Sequence, residues 1–184
     1  KSENFEKILL NSLSNLNRFY LSAKNYHENN GSFPYIYSKL NDELLNKSNS
    51  LNQKNKFSIF NSLIFATNSQ HALIPHNRKF YWNGEYQTFE PIYYDGNINI
   101  DGKLDIKNFP KNDIFFQNIK ETIGLISNLD RQNASKRIIK NFNVLSFSEE
   151  QIDQKINKVI SNLKQIEDLY DDISIKRSIN QLDN

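Results

Sequence analysis

Apolar residues recur at three- and four-residue steps at the start of the chain. Phe5, Leu9, Leu13, Leu16 and Tyr20 form one stripe of an amphipathic helix. Asn29-Asn30-Gly31-Ser32, followed by Pro34, breaks that pattern. Tyr37, Leu40, Leu44 and Leu45 predict a second helix that ends in the Asn/Ser-rich stretch 46–52. Phe57, Phe60, Leu63, Ile64 and Thr67 predict a third. Its neighbours Ile59 and Phe65 are apolar too, so few positions are left for water and this helix is expected to be buried.

The period changes at His71. Residues 78–82 and 85–89 are aromatic-rich runs on either side of Asn83-Gly84. That dipeptide favours a two-residue type I′ turn, whose central residues both need φ > 0, so a β-hairpin is expected here. Pro91-Ile92-Tyr93-Tyr94-Asp95-Gly96 follows, then a polar loop as far as Lys111.

Helical spacing returns with Ile114, Ile119, Ile123 and Ile126, and a short helix is expected over 131–141. The segment 148–170 carries the best start signal in the chain. Ser148 and Gln151 stand as a capping box, Phe147 and Ile152 occupy the staple positions, and Ile152, Ile156, Val159, Leu163, Ile166 and Tyr170 supply the stripe. A last helix is expected through Ile175 and Ile179. No internal repeat occurs. The pattern predicts a mainly α protein with one small β-hairpin, of α+β class, with 1–184 a single domain or domain segment.

Composition narrows the function classes. A unit of 184 residues buries roughly 70% of its unfolded surface and needs no disulfide. The absence of Cys removes thiolate metal sites and a Cys nucleophile. Lys+Arg 23 against Asp+Glu 21 leaves +2, which gives no basic excess for nucleic acid or an anionic membrane. No apolar run approaches the roughly 20 residues of a membrane span, and no secretory h-region is present, so a cytoplasmic location is expected. The chain begins at Lys1 and has no Met, and reads as a piece of a longer protein. With 29 asparagines and a mean hydropathy of −0.69 it is polar, yet 12% aromatic residues argue for a folded chain. The polarity reads as codon usage rather than as a functional signal.

The candidate chemistry lies where polar residues are held by apolar neighbours. His71-Ala72-Leu73-Ile74-Pro75-His76-Asn77-Arg78 joins the buried helix to the hairpin, and Asp95-Gly96 follows the second strand. Antiparallel strands return to the same end, so Asn77 and Asp95 should lie within a few ångströms. An amide oxygen and a carboxylate are hard ligands that suit Mg²⁺, which takes its other oxygens from water and phosphates.

A buried helix, a loop ending in a metal-binding Asn, a hairpin and then a metal-binding Asp is the order found in protein kinases. His76-Asn77-Arg78-Lys79-Phe80-Tyr81, with Phe89-Glu90-Pro91-Ile92-Tyr93-Tyr94-Asp95 after it, resembles the CotH-type spore-coat kinases, which carry a His-Asn-aromatic loop and a Pro-Trp-Asp-Leu-Asp motif beyond a hairpin. Pro91-Ile92-Tyr93-Tyr94-Asp95 is also similar to the Pro-Leu-Tyr-Asp of HipA-type kinases. The resemblance covers roughly residues 57–97. It implies the helical C-terminal lobe of a kinase-like fold, with the N-terminal lobe outside this segment. It also implies ATP and Mg²⁺ as cofactors, Asn77 and Asp95 on the metal and the nucleotide, and transfer of the γ-phosphoryl group to a hydroxyl acceptor, a protein or a sugar.

Two departures follow. The family places a catalytic Asp five residues before the metal-binding Asn, and here that position is Ala72. The preceding His71 is the candidate base, since imidazole titrates near neutrality. No Gly-rich phosphate loop or strand-borne Lys precedes the helices.

Plainer readings stand beside these. Asp95-Gly96 suits an ordinary turn, Asn77 could close its loop, His71 could be a hydrogen-bonded helix-end residue, and His76 could orient the loop. The spacing of His71 and His76 fits no common zinc pattern. Trp82, Tyr81, Tyr86, Phe89, Tyr93 and Tyr94 suit cross-strand packing better than a stacking platform. Arg131, Lys136, Arg137 and Lys140 read as a solvated face, and Asp168, Asp171 and Asp172 as a solvated helix end. The competing functions are a catalytically inactive pseudokinase or helical interaction module, and a metal-dependent hydrolase using His71, His76 and Asp95.

Overall fold

The computed structural model describes residues 6–14, 16–18, 20–21, 51–74, 77–85, 88–104, 119–142 and 148–182. The described part is mostly helical with one two-stranded antiparallel sheet. Described residues from 6 to 21 are helical, as the first stripe predicts. The second expected helix, around residues 37–45, lies outside the described residues, as do Pro75, His76, Tyr86 and Phe147.

Helix α1 is Leu51–Ala66. It includes Leu51 and Asn52, the last two residues of the Asn/Ser-rich stretch in which the second helix was expected to end; the rest of that stretch lies outside the described residues. Burial is as the sequence predicts: Phe57, Ile64, Phe65 and Ala66 are buried, and so are Ser58, Asn61 and Ser62. The helix ends in a Schellman motif. The Ser69 amide donates to the Ile64 carbonyl and the Asn68 amide to that of Phe65, with Asn68 left-handed at φ 49°. A 3₁₀ turn, Gln70–Leu73, follows at once and buries Ala72 and Leu73.

Strands β1, Lys79–Asn83, and β2, Thr88–Ile92, pair antiparallel with Lys79 opposite Ile92 and Trp82 opposite Phe89. The hairpin is therefore present, but its loop is longer than the predicted two residues. Neither Asn83 nor Gly84 has a left-handed φ, which a type I′ turn demands at both. Asn83 belongs to the strand. Its Oδ1 accepts from the Glu85 amide and its Nδ2 donates to Glu90, so the side chain that usually favours the tight turn is spent on widening it. Phe80, Trp82 and Phe89 pack on one face: Trp82 and Phe89 centroids are 4.9 Å apart, and Phe80 lies 6.0 Å from Phe57 of α1. Tyr81, Tyr93 and Tyr94 are exposed instead.

Helix α2 is Ile119–Ser127, α3 is Arg131–Phe142 and α4 is Glu149–Leu182. The capping box forms at the start of α4. Ser148 Oγ accepts from the Gln151 amide, and Gln151 Oε1 accepts from the Ser148 amide. The helix continues without interruption past Tyr170, so the separate last helix expected at Ile175 and Ile179 is its second half. No Gly or Pro lies between to stop it. Asp168, Asp171 and Asp172 consequently sit along a helix rather than at its end.

Helix α1 packs against α2, α4 and β2, while α3 leans on α4. Ile64, Phe65, Leu73, Ile119, Leu163 and Ile166 form the centre of the core. Burying each such side chain stabilises the fold by roughly 1.5–3 kcal/mol. Arg131, expected to be solvated, ties α3 to α4 through 2.8 Å bonds to Asp153 and Asn157. No helix among the described residues is long and apolar enough to cross a membrane.

Candidate functional site

The end of α1 and the start of the hairpin confine a short connection. Within it, the Ile74 carbonyl accepts from both the Asn77 and Arg78 amides, at 2.8 and 2.9 Å. These bonds hold Asn77 close to the 3₁₀ turn bearing His71. The Asn77 side chain is 3% exposed. Its Nδ2 donates to the His71 carbonyl at 3.2 Å and to the Asp95 carbonyl at 3.4 Å. Both partners are acceptors, which fixes the amide orientation and leaves Oδ1 as its remaining polar atom.

Asp95 stands on the other side of the hairpin, three residues beyond β2, with φ 45°. Its carboxylate is 57% exposed, and its Oδ2 lies 3.8 Å from His71 Nε2, ion-pair distance for a protonated imidazole. The His71 side chain is itself 41% exposed. The hairpin thus brings His71, Asn77 and Asp95 to one place although 18 positions separate the last two. Ala72, where the kinase pattern has its catalytic Asp, is buried in the core. His76 lies outside the described residues.

Several neighbours that sequence reasoning passed over hold this arrangement. Tyr20, from the N-terminal helical segment, donates its hydroxyl to the Arg78 carbonyl and meets Phe80 edge-on at 6.4 Å. Burial pushes its phenol up, and the Arg78 charge opposes that. Arg78 is buried, its guanidinium 5.6 Å from the Phe80 ring centroid. Gly96 is buried under the Tyr93 ring, and a Cβ there would come within 2.4 Å of Tyr93 Cε2. Asn68 and Asn162 bond the loop after Asp95. A left-handed Asn after an amphipathic stripe is a legible helix stop; a buried Asn in the middle of a stripe, as at position 162, is the signal that could have singled that residue out.

A largely apolar cleft of about 600 Å³ is lined by residues of α1, α2, α3, α4 and the loop 93–100, with Thr67, Tyr93 and Lys155 bringing the polar groups. Its lining holds no carboxylate and no imidazole, so the polar cluster, and not the cleft, carries the candidate chemistry. Comparison with protein-family models, with curated proteins and with solved structures gives no match to this chain.

Among the described residues no three or more His, Cys, Asp or Glu side chains gather in a group that could hold a metal. The donor set here is one exposed carboxylate and one amide oxygen. That set fits a hard cation that keeps most of its shell as water and phosphate oxygens, and does not fit zinc.

Proposed function

We propose that the chain is the helical C-terminal lobe of an atypical kinase-like phosphotransferase that uses ATP and Mg²⁺. The observation that carries this reading is the convergence of Asn77 and Asp95 across the hairpin, with His71 beside the carboxylate. Asp95 and Asn77 Oδ1 would hold Mg²⁺, which supplies charge neutralisation at the ATP phosphates. Asn77 Nδ2 orients both the turn and the loop by binding one carbonyl from each. His71 would accept the proton of the acceptor hydroxyl, and ATP would supply the γ-phosphoryl group, with ADP as the leaving group. On this reading the acceptor is a protein or sugar hydroxyl, an N-terminal lobe of the same protein supplies the rest of the nucleotide site, and the protein works in the cytoplasm.

The test is incubation of the full-length protein with γ-labelled ATP and Mg²⁺ beside its Asp95→Ala variant. Label on a product that disappears in a folded variant supports transfer. No nucleotide binding by the unmodified protein removes the reading.

A second reading, a pseudokinase or helical interaction module, is favoured by Ala72. A buried methyl occupies the position of the usual catalytic carboxylate. Nucleotide binding without label transfer would select it.

A further inference from the structure

Residues 93–104 form no regular secondary structure, yet they carry Asp95 and pass beside the core. The backbone groups of such a segment need partners. Side-chain amides supply several of them. Asn77 takes the Asp95 carbonyl. Asn68 Nδ2 donates to the carbonyls of Asn99 and Gly102, at 3.0 and 3.2 Å. Asn162 Nδ2, from α4, bridges the Ala66 carbonyl at 2.7 Å and the Ile100 carbonyl at 3.4 Å. The Asn99 amide completes the set by donating to Thr67 at 3.0 Å.

We infer that the side-chain amides of Asn68 and Asn162 are positioning groups for Asp95, because they fix the loop bearing its carboxylate to the helix end that leads into His71. The inference rests on the reading of Asp95 as a metal-holding residue. Two features argue for it. The carbonyls of Ala66 and Thr67 are at the end of α1 and have no further helical turn to bond, so helix end and loop satisfy one another. Asp95 and Asn97, at φ 45° and 55°, hold left-handed conformations that glycine adopts freely and that Asn and Asp take as single residues where local bonds support them. Such conformations persist where the surroundings over-determine them: Asn77 holds the Asp95 carbonyl, and Asn68 and Asn162 hold the following backbone at residues 99, 100 and 102. Asn162 is buried to 1% exposure, so its amide is retained inside the core for these two bonds.

Asn68→Gly is the decisive variant. Glycine adopts the left-handed φ of residue 68 freely, which keeps the helix stop and removes only the amide. Binding of Mn²⁺ together with ATP to the full-length protein, read by enhanced water-proton relaxation, is compared with thermal melting. Ser148→Ala, a cap loss far along α4, serves as a control for ordinary destabilisation. The unmodified protein should bind, Asp95→Ala should not, and Asn68→Gly should bind roughly tenfold more weakly, as loss of a group supporting a metal ligand does. Ser148→Ala should bind as tightly as the unmodified protein. Unchanged binding by a folded Asn68→Gly overturns the inference and leaves the Asp95 reading standing. No binding by the unmodified protein removes that reading, and the inference with it.

Discussion

Lys56 Nζ donates to Glu90 Oε1 over 2.6 Å and so fastens α1 to β2. The Asn83 amide donates to the same oxygen at 3.0 Å. The Lys56 hydrogen bond holds the Glu90 carboxyl below the ordinary carboxylate range, desolvation opposes it, and the Asn83 bond and Lys56 charge add to the lowering. A carboxyl depressed by folding contributes stability that is complete above its unfolded pKa and is lost as pH falls through the folded one. Glu90→Gln should therefore lower stability near neutrality by roughly 0.2–1 kcal/mol, the range for solvent-screened pairs. The difference from the unmodified protein should vanish in acid. Urea midpoints at pH 7 and at pH 3 check both statements.

The reciprocal bonds of Ser148 and Gln151 satisfy two amides that α4 would otherwise leave bare. Ser148→Ala should cost about 1 kcal/mol, whereas Ser148→Gly should cost only a few tenths. Chemical denaturation, with the slope unchanged between variants, measures the ordering. Equal costs would show that the whole loss comes from the hydroxyl, which both variants lack, and none from the backbone preference of residue 148.

Leu163 is fully buried where α4 faces α1. Leu163→Ala should destabilise by about 2–5 kcal/mol, through lost transfer energy and the cavity left behind. Calorimetry on the variant would place it in that range. A loss under 1 kcal/mol would mean that this part of the helix packs far less tightly than its burial indicates.

Gly96 has no room for a methyl group while Tyr93 stays in place. Tyr93 is exposed on its outer side and can swing away, so Gly96→Ala should cost roughly 1–3 kcal/mol, as overpacking does. Tyr93→Ala in the same chain should return much of that loss. A double-mutant cycle with no coupling would mean that the clash is relieved by backbone movement instead.

Much of the fold was legible because it depends on periodicity. The stripe ending in Leu163, Ile166 and Tyr170 and the cap at Ser148 are local signals, and both appear in the helix as read. The failures have physical causes as well. Asn83-Gly84 read as a tight turn, but the Glu90 carboxylate and the Glu85 amide competed for the asparagine side chain. For the site, the convergence of Asn77 and Asp95 followed from strand geometry alone. The groups that hold them, Tyr20, Asn68 and Asn162, come from distant parts of the chain, and single-sequence spacing has no term for such contacts. The asparagines, dismissed as codon usage, supply much of the side-chain bonding around Asp95.

The Ala72 methyl sits among Leu73, Leu163 and Ile166, sealed from water. An engineered Ala72→Asp would have to keep a carboxyl neutral there or open the core to hydrate it, and neither yields an ionised base facing a substrate. An ionised base at position 72 therefore takes more than one substitution, because the packing of α4 around that position would have to be rebuilt with it. Titratable side chains are better introduced at His71, which is part-exposed, so that a new side chain there meets solvent.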